Sequence, residues 1–157
     1  MQAFENWDID RASQLIARHA HLAGAALPIL HALQETFGHV PKEAVPMIAD
    51  ALNLSRAEVH GTLSFYHDFR SEPPGRHLLQ LCRAEACQAM GADALHDHVR
   101  GRLGIGWHQT TPDGNVTLEP VFCLGLCACG PAAMLDGEPI ARLDATRLDA
   151  LIEEATA

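Results

Sequence analysis

Apolar residues recur every third and fourth position along the first half of the chain, and in short runs along the second. The first rhythm is that of helices and the second that of buried strands. Four helices are predicted before Ser71. Leu15, Ile16 and Leu22 mark the first, with Asp8 or Asp10 as its cap. The second runs from about Leu27 to Phe37, with Pro28 tolerable in its first turn and Gly38 placed to end it. Leu30, Leu33, Gln34 and Phe37 share one of its faces. The third starts near Pro41 and stops at Asn53, a residue that accepts the left-handed conformation at a helix end. Ser55 and Glu58 then fit a capping box. Val59, Leu63 and Tyr66 follow on one face with Phe65 and Phe69 close by, and these aromatics are expected to pack in the core. Short connections favour a small antiparallel bundle.

The segment Ser71–Arg76 (SEPPGR) divides the chain into a helical bundle at 1–72 and a second unit at 77–157. His77 to Leu81 reads as a buried strand that delivers Cys82. Leu95, Val99 and Leu103 mark a helix from about Gly91 to Arg102. Pro112 to Asn115 is a turn. Val116 to Val121 makes a strand that Pro120 pushes toward a sheet edge or a bulge. Ala132–Leu135 and Pro139–Leu143 form a hairpin through Asp136–Gly137. Leu148, Leu151, Ile152 and Ala155 mark the last helix, with Asp144 as its cap. The fold class expected is α+β, a helical bundle followed by a small α/β unit.

Composition adds limits. A chain of 157 residues can bury roughly 70% of its unfolded surface, and 48% apolar with 20% charged residues excludes a wholly disordered polypeptide. No apolar run approaches the ~20 residues of a spanning helix, so no direct membrane insertion is expected. Met1 to Asp10 carries acid where a signal peptide would carry base, which points to a cytoplasmic protein. A net charge of −9 argues against nucleic acid as a partner. In such a setting the five cysteines point to metal or redox chemistry rather than structural disulfides.

Cys82 and Cys87 stand in C-x4-C, Cys123 and Cys127 in C-x3-C, and Cys129 follows. Each pair comes just after a predicted strand. If those strands are neighbours, all four sulfurs emerge at one end. Four thiolates select zinc or iron–sulfur. C-x4-C lies within the range zinc tolerates, while a 2Fe–2S cluster, with two irons each needing two thiolates, suits wider pairs on two loops. The charge of such a cluster needs amide hydrogen bonds. Gly125 and Gly130 would let amides turn toward the sulfurs, and Leu124, Leu126 and Pro131 would screen water. Arg83 either adds positive potential or is solvated. Cys129 competes with Cys127 as a ligand. Buried free cysteines explain one such residue better than four, and no C-x-x-C supports a redox dithiol. His96 and His98 are expected on an exposed helix face, two residues apart and wrongly spaced to act as joint ligands. The other histidines show no common spacing.

Several stretches taken together resemble the thioredoxin-like 2Fe–2S subunits of respiratory complex I, NAD-reducing hydrogenases and NAD-dependent formate dehydrogenases. They are Leu27–Pro41, Gly61–Phe69, the P-P-G-R linker, C-x4-C followed by Met90–Ala92, and the C-L-G-x-C loop. The resemblance implies a helical bundle followed by a thioredoxin-like 2Fe–2S ferredoxin domain. It implies one 2Fe–2S cluster held by Cys82, Cys87, Cys123 and Cys127, and leaves Cys129 outside the ligand set. Cys123 to Asp136, with Cys87 to Ala92, is most similar to the gamma subunit of NAD-dependent formate dehydrogenase. The equivalent subunit of complex I (NADH:quinone oxidoreductase) or of an NAD-reducing hydrogenase is the alternative. The implied partners are a flavoprotein subunit carrying FMN and binding NAD, and a formate-oxidising subunit with a molybdenum- or tungsten-pterin. The chain itself would be an electron carrier with no catalytic residue of its own. A zinc adaptor module and a thiol enzyme are the rival classes.

Overall fold

A computed structural model describes residues 4–156. The chain folds as two compact units, divided between Pro73 and Pro74.

The first unit contains α1 (Ile9–His19), α2 (Ala26–Phe37), α3 (Ala44–Leu52) and α4 (Arg56–Phe65). Asp8 caps α1 by accepting the Arg11 amide at 2.7 Å. Gly38 and Asn53 end α2 and α3 in the left-handed conformation, as their residue types predict. Ser55 and Glu58 close the expected capping box on α4. The core joins Ala12, Leu15 and Ile16 to Ile29, Leu30, Leu33, Phe37, Val40, Ile48 and Val59. Gln34 clamps the segment after α4 instead of packing in that core: its side chain donates to the Asp68 carbonyl and accepts the Arg70 amide, each at 2.7 Å.

Two expectations fail here. α3 begins at Ala44, because Pro41 to Glu43 form only a turn before it. The aromatics at the end of α4 are not core residues. Phe65 is 72% exposed and Tyr66 is also exposed, and of the α4 residues only Val59 is buried. Val59 and Leu63 of α4 face the core and Phe69 packs against it as expected, whereas Phe65 and Tyr66 lie off that face and stack edge-on against each other.

The second unit is a five-stranded sheet in the order β2-β3-β1-β4-β5. β1 is His77–Cys82, β2 Gln109–Thr110, β3 Val116–Val121, β4 Ala133–Leu135 and β5 Glu138–Ile140. Its helices are α5 (Glu85–Ala89), α6 (Ala92–Leu103) and α7 (Ala145–Thr156). β1 and β3 run parallel; β2, β4 and β5 are antiparallel to their neighbours. Leu79, Leu81, Val116 and Leu118 from the sheet meet Leu95 and Val99 of α6 and Leu148 and Ile152 of α7 in one core. Asp144 caps α7, accepting the Arg147 amide at 2.8 Å. The β4–β5 turn has Asp136 and Gly137 both at positive φ, the geometry that two-residue hairpins favour. Asp136 also binds back to β1, accepting the Leu78 amide at 2.9 Å and pairing with His77 at 2.7 Å.

Pro120 does not place β3 at the sheet edge, since β2 lies outside it. β2 reaches only Thr117 and Leu118, so beyond them β3 has an open side where a missing N–H costs nothing. Among the described residues, no helix is long and apolar enough to cross a membrane.

Candidate metal centre

Cys82 is the last residue of β1, and Cys123 follows the end of β3 by two residues. Because the two strands are parallel neighbours, the C-x4-C and C-x3-C loops leave the sheet at the same end. The Arg83 amide donates to the Val121 carbonyl at 2.7 Å and holds the roots of the loops together. After Cys82 the chain turns into the short α5, which carries Cys87, and the Gln88 side chain donates back to the Arg83 carbonyl at 3.0 Å. Cys82 and Cys87 are buried, at 3% and 2% exposure, whereas Cys123 and Cys127 are exposed.

The sulfurs stand as two pairs. Cys82 and Cys87 pack together in one buried cluster, and the Cys123 and Cys127 sulfurs are 3.6 Å apart. Burial works to raise the Cys82 thiol, but the Ala84 amide, the Cys87 thiol and the Cys123 and Leu124 amides outweigh it, and its pKa falls below the usual thiol value. Burial, then the bond to Cys82, pushes Cys87 up against the opposing pull of the Ala132 amide. Cys127 is pushed up by its hydrogen bond to Cys123 and by that neighbour's charge. The Gly125 amide reaches Cys123 Sγ at 3.3 Å, from a glycine at φ 76° that the tight turn requires. Cys123 itself is held at φ 98°, a conformation that non-glycine residues adopt where a site demands it.

This donor set fits a 2Fe–2S cluster. Soft sulfurs are supplied in two pairs, and backbone amides are already aimed at them to offset negative charge. Among the described residues, no three His, Cys, Asp or Glu side chains are grouped to hold a single metal ion. Leu124 and Leu126 pack beside Cys82, Cys87, Ala92 and Ala132. Gly130 acts differently from the expectation. Its φ of −66° is open to any residue, and what its lack of a side chain leaves is room: an added Cβ would lie 3.4 Å from Cys87 Sγ. From Val121 to Leu135 the chain has no Asp, Glu, Lys, Arg or His. Cys129 enters through its backbone, donating to the Leu126 carbonyl at 2.9 Å and accepting the Arg142 amide at 2.7 Å.

Three residues behind the thiols were not legible as a group. His96 is 5% exposed, not on an open helix face, and its Nε2 donates to the Cys82 carbonyl at 3.2 Å. The signal was its spacing from Ala92 and Val99, four and three residues away on the buried stripe of α6. Burial pushes its pKa below the ordinary imidazole value. Its ring meets Trp107 edge-on at 5.4 Å, and Arg83 lies over the same indole at 5.2 Å rather than in solvent. His98 instead pairs with Asp149 of α7 at 2.8 Å.

Comparison with known proteins agrees with this arrangement. Residues 12–156 match the family model of the thioredoxin-like [2Fe-2S] ferredoxins. A subunit of the NADH-quinone oxidoreductase of Rhizobium meliloti is 39% identical over 137 residues, covering 87% of this chain and 82% of its own. The corresponding NADH-quinone oxidoreductase subunit of Mycobacterium tuberculosis is 35% identical over 127 residues, 81% of this chain and 50% of that one. Among solved structures, an air-oxidized NAD+-reducing [NiFe]-hydrogenase superposes with a TM-score of 0.71 at 32% identity, over 83% of this chain and 22% of the hydrogenase chain. With the family model spanning both units and the paired thiols at the end of the sheet, the chain belongs to the thioredoxin-like [2Fe–2S] ferredoxin family, whose cofactor is one 2Fe–2S cluster.

Proposed function

We propose that this chain is the 2Fe–2S electron-transfer subunit of an NAD(H)-linked oxidoreductase complex, with Cys82, Cys87, Cys123 and Cys127 as the cluster ligands. The observation that carries the reading is the meeting of two thiol pairs at one end of the parallel β1–β3 ladder, with amides aimed at their sulfurs. When bound, the cluster takes up and returns one electron at a time. The chain's own part is to hold and bury it: amides of Ala84, Cys123 and Leu124 face the first sulfur, and Leu124 and Leu126 keep water from the inner pair. No bond-making chemistry is assigned to this polypeptide.

The complex we favour is of the NADH-quinone oxidoreductase or NAD-reducing hydrogenase type, because the relatives and the superposed structure belong to those enzymes. The gamma subunit of formate dehydrogenase is the finer reading, supported by C-L-G-L-C-A-C-G-P and by none of the relatives named above. The partner expected in every case is a flavoprotein subunit with FMN that binds NAD; a pterin-containing subunit is expected only with formate dehydrogenase. The location expected is cytoplasmic. The 77–157 unit would carry the cluster and the 1–72 bundle would serve assembly, a role supported by the exposed Phe65 and Tyr66.

Affinity purification of the full-length protein from its native cells, kept anaerobic, tests the reading. Iron and inorganic sulfide should accompany the chain together with a flavoprotein. Quinone-reducing membrane subunits or hydrogenase subunits would fix the type favoured here, and a pterin subunit with formate-driven NAD reduction would fix the other. A colourless protein containing zinc and no iron would overturn all of them.

A further inference from the structure

The ladder between β1 and β4 is antiparallel, with Leu79 opposite Leu135 and Leu81 opposite Ala133. The next pair is Cys82 with Ala132, and the Cys82 amide does donate to the Ala132 carbonyl at 3.0 Å. In a regular antiparallel ladder such a pair exchanges two hydrogen bonds, so the Ala132 amide should return to the Cys82 carbonyl. It does not. Ala132 instead packs with Cys87 in one buried cluster, its amide on the side of that thiol. The Cys82 carbonyl would then be a buried acceptor without a donor, at a cost of about 1–3 kcal/mol. His96 supplies one, from Nε2 at 3.2 Å. The imidazole is buried and held edge-on by Trp107, so the donor is fixed in place.

We propose that His96 is a positioning residue of the thiol site: by taking over the Cys82 carbonyl, it releases the Ala132 amide to serve the Cys87 sulfur. One side chain on α6 thereby converts a strand-pairing donor into a ligand-facing donor. The inference rests on Cys82 and Cys87 being cluster ligands. Without His96 the amide would close the ladder, and the reduced, more negative cluster would lose a dipole directed at one of its sulfurs.

The test compares the full-length wild type with His96→Phe, His96→Met and His96→Gln, each reconstituted anaerobically with iron and sulfide. Phenylalanine keeps an aromatic contact with Trp107 and has no donor; methionine keeps bulk and has none; glutamine restores an N–H near the position of Nε2. Iron content, melting temperature, midpoint potential and exchangeable-proton couplings from pulsed EPR in deuterated buffer are measured on each. Expected are equal potentials for wild type and His96→Gln, and a downward shift with loss of one exchangeable coupling in His96→Phe and His96→Met. Fully loaded His96→Phe with the wild-type potential and couplings would overturn the proposal and leave the cluster reading intact. So would a glutamine variant that shifts as far as phenylalanine. If both donor-free variants fail to fold while glutamine folds, the role is confined to folding and the proposal is equally lost. A wild type that takes up neither iron nor sulfide removes the cluster reading, and this inference with it.

Discussion

Cys82 stands directly opposite Val121 in the parallel ladder of β1 and β3. That register sets the first thiol two residues' reach from the second loop, whose Cys123 and Leu124 amides face its sulfur. Cys82→Ala removes the thiol around which the amides gather and should abolish the visible absorption and most bound iron. Cys129→Ala touches only a residue engaged through its backbone and should keep both at wild-type level. Iron and sulfide analysis of the two variants, prepared side by side, decides the ligand set. Equal loss in both would bring Cys129 into it.

The thiols should also differ in access once metal is removed. With the cluster stripped by a chelator under reducing conditions, iodoacetamide should modify Cys123 and Cys127 well before Cys82 and Cys87, since the first two are exposed and the others buried. Peptide mass spectrometry over a time course reads the order. Reloading the cluster should protect all four. Early labelling of Cys82 would mean that the inner pair is open in solution.

Packing beneath the site is a third target. Leu79 is fully buried in the centre of β1, three residues before Cys82. Leu79→Ala should cost the second unit about 2–5 kcal/mol, read from its urea transition. Phe65→Ser on the first unit changes a side chain already in water and should shift its transition by less than about 0.5 kcal/mol.

Acid should weaken the tie between β1 and the β4–β5 turn. Burial works to raise the Asp136 carboxyl, but the Leu78 amide and His77 outweigh it, so its pKa lies below the ordinary carboxylate value. A lowered carboxyl stabilises the fold above its unfolded pKa of about 3.9, and the benefit disappears as pH falls through the lower folded value. Asp136→Asn keeps a residue type that tolerates the positive φ of this turn and removes the charge. Wild type should therefore be the more stable at pH 7, and the two should converge below about pH 4. Thermal melts across that range check it.

Much of this was legible in the residues because local chemistry decided it. The Ser55–Glu58 box, Asn53, Asp144 and the Asp136–Gly137 turn act within four positions, and each has its expected partner or conformation. The spacing of the paired thiols after their strands places them at one sheet end if the strands are neighbours, and β1 and β3 are neighbours. Periodicity says which face of a helix is apolar but not whether the chain itself covers each residue near it, so it places Phe65 and Tyr66 in the core while the fold leaves them exposed. His96 departs from its expected exposed position for the opposite reason. Its polar side chain suggested solvent, while the acceptor that allows its burial is a carbonyl fourteen residues away. β2, two residues long, and α5, one turn around Cys87, are too short to impose a period.

The stretch from Val121 to Leu135 carries none of the chain's ionisable Asp, Glu, Lys, Arg or His residues, so the net charge of −9 resides wholly elsewhere. Dissolved ions screen charges and leave apolar contacts nearly untouched. Under the proposed function, a redox partner docking on Phe122, which is 71% exposed, beside Leu124 and Leu126 would be held by shape and by expelled water. The lifetime of that encounter should therefore vary little with ionic strength, even as added salt alters how quickly the two molecules find each other.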